Sequence, residues 1–395
     1  MNILYLTYYF RPDLCAGSFR NSSLFEAVLE QIGEDDFVHV ITTVPNRYGS
    51  YSVEGLKEET GKNYRIDRLT VPMHASGMAE QAKAFTSYYK GVMKLIKHEK
   101  YDMVFASSSR LFTAYLGKKC AVKNKCPLYL DIRDIFVDTM KDIFKDKKYI
   151  QVPAVWVLGL LEKYTFKNAN HINLISGGFR PYFEKYKKPT YTEYSNGIDD
   201  VFIEAGKEPS VDNGKPYIIT YAGNMGSGQG LEKIIPEAAK QLGPDYKFRL
   251  IGDGGTRKKL EEKLKELNVE NVELLNPVAR KELIQYYKDS TFLFFHLNDL
   301  EAFKKVMPSK MFEYGAFDKP IIAGVGGFAA HFVEKNIPNH ILFKPTDVDD
   351  FVSQMKNYQL KFERRDEFIQ NFSRKSIDRK LAASIVGLLR NRVIA

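Results

Sequence analysis

One pattern constrains this chain more than any other. Short apolar runs alternate with longer helix-like stretches, and the alternation begins afresh halfway along. In the first half the apolar runs are residues 3–8, 37–43, 103–106, 128–132 and 171–175. They are continuous and rich in Val, Ile, Leu and Tyr, as strands covered on both faces are. Helical patterns at 22–31, 82–97, 111–122 and 155–168 separate them. Strands that alternate with helices predict a parallel sheet with helices on its faces.

After Tyr194-Ser195-Asn196-Gly197-Ile198-Asp199 comes a polar stretch, 204–215, where Gly, Pro, Asn and Asp gather. A boundary belongs there. The grammar then restarts, with strands at 217–221, 247–251, 272–274, 291–296 and 319–323. Helices are expected at 231–242, 256–267, 280–289, 309–316 and 372–390. The reading is an α/β chain of two Rossmann-like domains, 1–203 and 204–371, with a helix 372–395 that can cross back to the first. The 395 residues suit two domains, each with a core that needs no covalent staple.

The three cysteines, Cys15, Cys120 and Cys126, form no C-x-x-C, which argues against disulfides and thiolate zinc. The seven histidines give no H-x-x-H or H-E-x-x-H, so no metal ligand is assigned. No apolar run approaches the roughly 20 residues of a spanning helix. The opening run lacks a basic leader and is cut by Arg11-Pro12, so it reads as a strand, and the protein as cytoplasmic. The net charge of +9 is spread along the chain, with 28 basic and 23 acidic residues to position 200 and 30 and 26 beyond. That is a poor fit to a nucleic-acid protein.

Five places can carry chemistry. The loop Tyr9-Phe10-Arg11-Pro12-Asp13-Leu14-Cys15-Ala16-Gly17-Ser18-Phe19-Arg20 follows the first strand and opens a helix. Ligands bind at such carboxyl ends, where glycine lets backbone come close and helix N–H groups are free. It reads equally as a plain connection. The loop Gly223-Asn224-Met225-Gly226-Ser227-Gly228-Gln229-Gly230 holds four glycines in eight residues, enough to offer several N–H groups to a diphosphate. It is not a P-loop. Ile251-Gly252-Asp253-Gly254 is a further glycine turn, of structural or binding use. In Pro308-Ser309-Lys310-Met311-Phe312-Glu313, Ser309 suits a helix cap, and Lys310 and Glu313 share a face. The cation suits phosphate and the carboxylate ribose hydroxyls, or the two form an ordinary ion pair. Asp131-Ile132-Arg133-Asp134 puts three charges at the end of a buried strand, as a site or as salt bridges.

Taken together these pieces resemble retaining glycosyltransferase family 4, of GT-B fold. Leu161-Glu162-Lys163, Ala169-Asn170 and Ile175-Ser176 are similar to its E…AD…VS stretch. Asn196-Gly197-Ile198-Asp199 with Phe202 resembles its N-G-V-D…F linker. Tyr221-Ala222-Gly223 with Gly230-Leu231, and Ile251-Gly252-Asp253-Gly254, resemble its donor-domain turns. Pro308-Ser309-Lys310, Glu313, Gly315 and Lys319-Pro320 look like its donor helix in capsule and O-antigen transferases. Lys305 stands where the family often has a first glutamate, and Gln229 where it often has a basic residue.

The resemblance implies two Rossmann-like domains facing across a cleft, a hinge near 196–215, and transfer of a sugar from a nucleoside diphosphate sugar, UDP by family frequency, with retention. Glu313 is then expected at the ribose. Lys310, Gly223, Asn224, Gly226, Gly252 and Ser309 are expected around the diphosphate, and Val278 at the base. Gly17, Arg20, Asp131 and Arg133 are expected on the acceptor side, and Asp134 at the acceptor hydroxyl. Asp134, Lys310 and Glu313 are the catalytic candidates. Neither cofactor nor metal is required. The implied acceptor is a glycan or a polyprenyl-diphosphate-linked sugar. Residues 141–188 carry ten basic and four acidic residues around Trp156 and its apolar neighbours. They suggest contact with the inner face of an anionic membrane, or a core helix with solvated lysines. A nucleotide-sugar epimerase of the same fold and a non-catalytic partner subunit are the rival readings.

Overall fold

The structure is a computed structural model. It describes residues 1–13, 15–45, 56–72, 78–108, 111–145 and 147–394; Leu14 of the first loop lies outside these. The chain divides into two compact units, Met1–Asn196 with Lys375–Ala395, and Gly197–Arg374.

The first unit is built on strands β1 (Asn2–Thr7), β2 (Phe37–Thr43), β3 (Glu58–Gly61), β4 (Tyr64–Leu69), β5 (Met103–Ser108), β6 (Leu128–Ile132), β7 (His171–Leu174) and β8 (Thr190–Thr192). Their order is β3-β4-β2-β1-β5-β6-β7-β8. Only β3 runs antiparallel to its neighbour. The five apolar runs became the central strands. β3, β4 and β8 were not legible: β3 and β8 are short edge strands, and β4 beside β3 holds Arg65, Asp67 and Arg68. The order reverses between β1 and β5, which leaves a crevice at their carboxyl ends.

Three helices of this unit, Met78–Leu95 among them, begin earlier than expected. The first spans Ala16–Leu29, six residues earlier than expected, because Gly17, Ser18, Arg20 and Asn21 are buried and belong to its packed face. Another spans Lys148–Phe166 and runs through Pro153, which made the sequence read as starting only at 155. The helices Phe136–Ile143 and Asp200–Ala205 were not expected. The last helix, Arg374–Ile394, packs in the first unit. Leu381, Ala382, Ile385 and Leu389 join Ile3, Tyr5, Phe25 and Phe105 in one core, and Ser384 Oγ lies 3.1 Å from Tyr129 Oη.

The second unit holds β9 (Tyr217–Ala222), β10 (Tyr246–Ile251), β11 (Val272–Leu275), β12 (Phe292–His296), β13 (Ile321–Gly324) and β14 (His340–Phe343). The order is β11-β10-β9-β12-β13-β14, all parallel. Here the reversal falls between β9 and β12. The elements after β13 (Gly327–Asn336, β14, Val348–Asn357 and Asp366–Phe372) lay outside the sequence reading. The chain's entry to and exit from this unit lie side by side: Ile198 N donates to Phe372 O, and Arg374 N to Ile198 O, at 2.8 Å each. A Cβ on Gly197 would stand 2.4 Å from Arg374 Cα. Asp199 binds both Arg280 and Arg374. No helix among the described residues is long and apolar enough to cross a membrane.

The carboxyl ends of β5, β6 and β7 are tied by charge. Asp131 accepts from Arg20 Nε at 3.1 Å and Nη2 at 2.9 Å, from Ser107 Oγ at 3.0 Å and from Asn173 Nδ2 at 2.8 Å. Arg20 also donates to the carbonyls of Ser195 and Tyr194, at 2.6 and 3.0 Å. Both side chains of the pair have no exposed surface. Arg20 and Asp131, expected on the acceptor side, are therefore scaffold: every polar atom they offer is turned inward to the protein. Removing one partner strands a buried charge, a loss of about 3–5 kcal/mol. Asp131→Ala should lower the urea unfolding free energy by that amount; a loss under about 1 kcal/mol, the scale of an exposed pair, would contradict the assignment.

Candidate functional site

In the second unit the two glycine turns follow adjacent strands, and they press backbone on backbone. Gly223 N donates to Ile251 O and Met225 N to Asp253 O, each at 2.9 Å. A Cβ on Gly252 would stand 1.9 Å from Gly223 O, and one on Gly254 2.5 Å from Met225 C. Glycine is demanded at both by close approach. Gly252 thus serves as the floor on which the first turn rests, and the structure answers the sequence's open choice for it in favour of a structural part.

The first turn is held from inside. Gln229 Oε1 accepts from Asn224 Nδ2 at 2.8 Å and from Gly226 N at 3.3 Å, and Tyr221 Oη donates to Asn224 O at 2.5 Å. Gly230 sits in the left-handed region, φ 59°, and turns the chain into helix Leu231–Leu242. From β12, Asn298 N and Nδ2 donate to Gly228 O and Ser227 O, at 2.8 and 3.0 Å. His296 Nδ1 donates to Gln229 O at 2.5 Å, and its Nε2 accepts from Thr346 N at 2.9 Å. Burial pushes the His296 pKa down to about 4, so the ring is neutral with a fixed tautomer, latching the glycine turn to the segment after β14.

Above this platform lies the short helix Lys310–Gly315. The Lys310 side chain passes over Gly223, its Cε 3.4 Å from where a Cβ would be. Lys310 Nζ lies 2.8 Å from Glu313 Oε2 and 3.5 Å from Tyr287 Oη. Tyr287 Oη donates to Glu313 Oε2 at 3.4 Å. Burial, then Tyr314 and Glu313, raises the Tyr287 pKa far above the ordinary phenol value, so it stays a neutral donor. Ser309 takes the expected N-cap position, but its backbone is already in the helical region and its side chain makes no capping bond. Lys319, quoted beside Pro320, is buried and donates to Ser290 O at 2.5 Å, a scaffold contact. Val278 packs half-buried against the core beside the helix Arg280–Lys288.

Arg280 was missed. It opens that helix, pairs with Asp199, lies over the Phe202 ring at 4.8 Å, and feels the Glu313 charge. Burial lowers its pKa, with Glu313 opposing. Its signal in the sequence was its place two residues after Val278.

In the first unit, Gly17 and Arg133 do come together. A Cβ on Gly17 would stand 2.6 Å from Arg133 Nη1, so the guanidinium lies against the start of helix Ala16–Leu29. Arg133 Nε is buried without a partner, and burial lowers its pKa against the pull of Asp131. Asp134 is half-buried in the following turn, where Thr139 Oγ1 donates to it at 3.4 Å. Among the described residues no group of three or more His, Cys, Asp and Glu is placed to hold a metal ion.

Similarity to known proteins falls on the same ground. Residues 202–375 match the family model "Glycosyl transferases group 1". An uncharacterized glycosyltransferase of Methanocaldococcus jannaschii is 26% identical over 195 residues, covering 45% of this chain and 49% of that protein. The match thus spans about half the length of that curated relative. Among solved structures, HepE of Anabaena in complex with UDP and glucose superposes with a TM-score of 0.68 at 14% identity, covering 98% of this chain and 100% of that one. The lipopolysaccharide outer core galactosyltransferase WaaB, in its apo form, gives 0.62 at 13%, covering 98% and 99%. The α,α-trehalose 6-phosphate synthase of Burkholderia multivorans gives 0.70 at 11%, covering 100% and 97%. The fold is GT-B.

The His296 latch has a pH signature. Its pKa is depressed in the folded state, to about 4 against 6.5 unfolded, so the unfolded chain binds the extra proton first. The latch's stability is complete above pH 6.5 and drains as pH falls towards 4, by on the order of 3 kcal/mol. The melting temperature of His296→Gln should therefore fall less than wild type between pH 6.5 and 4. Parallel curves for the two proteins would remove His296 from this role.

Proposed function

We propose that this chain is a retaining glycosyltransferase of family 4, moving a sugar from a nucleoside diphosphate sugar, UDP-linked by preference, to a glycan or polyprenyl-diphosphate-linked acceptor. The work would be surface-polysaccharide (capsule or O-antigen) assembly at the cytoplasmic side of the membrane. One observation carries the reading. Two glycine turns stacked backbone on backbone lie beneath Lys310 and Glu313, within the stretch that matches the group 1 family model. HepE binding UDP and glucose, and WaaB acting in lipopolysaccharide assembly, support the donor and the pathway class.

The chemistry follows from charge. As the glycosidic bond to the donor breaks, the departing diphosphate gains negative charge. The N–H of Asn224, which makes no hydrogen bond among the described residues, and the ammonium of Lys310 would meet that charge, while the N–H groups of Gly223 and Gly226 hold the turn itself through Ile251 O and Gln229 Oε1. Glu313 would exchange its bond to Lys310 for the ribose hydroxyls, which frees the cation for phosphate. Val278 would flank the base, and Arg280 adds a second cation close to Glu313. Ser309 and Gly252 would shape the pocket rather than touch the donor. Gly17 and Arg133 offer the acceptor a guanidinium with an unused Nε, suited to a phosphate or a sugar hydroxyl. Asp134 would orient the attacking hydroxyl. A metal is not needed for this scheme.

A nucleotide panel of UDP, GDP, ADP, TDP and CMP tests the donor site. At about 100 times its dissociation constant the right nucleotide adds roughly 2.7 kcal/mol, a rise in melting temperature of a few degrees. UDP should give that rise, and Glu313→Ala should abolish it. Asp134→Asn should keep the rise and slow turnover by roughly 10²-fold or more. No rise with any nucleotide, or equal turnover in Asp134→Asn and wild type, would overturn the respective assignment.

A further inference from the structure

Twelve large apolar side chains are exposed among the described residues, and eight of them fall between positions 143 and 164. Five form a line along the helix Lys148–Phe166: Tyr149, Val152, Trp156, Leu160 and Tyr164. Steps of three and four residues put them on one face. Tyr149 is 77% exposed and Trp156 66%. At its start Gln151 Nε2 donates to Lys141 O at 2.6 Å, and its buried residues, Glu162, Thr165 and Phe166, lie near its end. There Tyr164 packs on Tyr115 at 6.0 Å, with Lys119 Nζ 5.1 Å above the Tyr164 ring.

Among the described residues from 138 to 167, the exposed charges are all basic. Lys141, Lys145, Lys147, Lys148, Lys163 and Lys167 are exposed. Of the described acidic residues nearby, Asp142 is half-buried, Asp138 is buried and pairs with Lys141 at 3.0 Å, and Glu162 is buried and accepts from Tyr182 Oη at 2.5 Å. A second copy on this face, related by a two-fold axis, would bring lysine against lysine. An anionic bilayer meets both features, taking the apolar stripe among its acyl chains and the ammonium groups at its phosphates.

We propose that the helix Lys148–Phe166 docks the protein on an anionic membrane through the Tyr149–Val152–Trp156–Leu160 stripe. The proposal stands on this helix alone and is independent of the donor-site reading; it sharpens that reading's expectation of membrane contact to one surface. Trp156 is the sole tryptophan of the chain, so its emission reports the surface directly. The full chain is titrated with vesicles of pure phosphatidylcholine and with vesicles of equal parts phosphatidylcholine and phosphatidylglycerol. The expected result is a blue shift on the anionic vesicles, reversed by high salt and weak on the neutral ones. The double variant Val152→Glu/Leu160→Glu changes only exposed positions, so its melting temperature should hold while its vesicle affinity falls roughly tenfold or more. No shift on anionic vesicles, an equal shift on neutral ones, or an unchanged affinity in the variant would overturn the proposal. So would a blue shift that grows with protein concentration without lipid, which would assign the face to a second copy. Sugar transfer plays no part in the readout, so neither proposal's failure entails the other's.

Discussion

The second unit depends on the contact between Gly223 and Gly252. Parallel neighbours β9 and β10 deliver two turns to the same edge of the sheet, and only the absence of side chains lets them stack. A Cβ at Gly252 would fall inside the Gly223 carbonyl oxygen. Everything above follows from that floor. The first turn can expose N–H groups because the second supports it from below, Gln229 pins it from within, and Asn298 and His296 hold it from the side. Lys310 then has a rigid surface to cross. The result is a turn whose shape is fixed before any ligand arrives, with the Asn224 N–H left for one, the condition under which a backbone dipole stabilises developing charge most effectively.

The first unit solves a different problem with charge. Its reversal point lies between β1 and β5, and nearby stand Arg20 on the helix Ala16–Leu29 and Asp131 and Arg133 at the end of β6. Two of the three neutralise each other in full burial, with Ser107 and Asn173 completing the shell of Asp131. The third is left over against Gly17. A scaffold pair thus lies beside a neighbouring cation, and under the proposed function the acceptor would meet Arg133 and Asp134.

Much of this was legible because buried parallel strands are monotonously apolar, and β1, β2, β5, β6, β7 and β9 declare themselves in the sequence. Strands near the edge do not: β4, next to the edge strand β3, reads as Tyr-Arg-Ile-Asp-Arg-Leu because Arg65, Asp67 and Arg68 are paired with neighbouring charges. Pro153 hid the first turns of a surface helix. At the site, the residue types were legible and their partners were not. Nothing local tells Arg20 from Arg133, since the difference is which of them Asp131 reaches. Arg280 escaped because its neighbours Asp199 and Arg374 are far off in sequence and meet it only where the chain's entry and exit lie side by side. Ser309 was read as a cap from its type alone; it takes that position, yet its backbone is already helical and its side chain makes no capping bond.

The central claim is that the stacked glycine turns and the Lys310 helix together form the nucleotide platform. Hydrogen–deuterium exchange of the intact chain with and without saturating UDP addresses it most directly, since bound N–H groups exchange slowly. The account predicts slowed exchange in peptides covering 222–231 and 308–316. Protection confined to other segments, with these two unchanged, would contradict it.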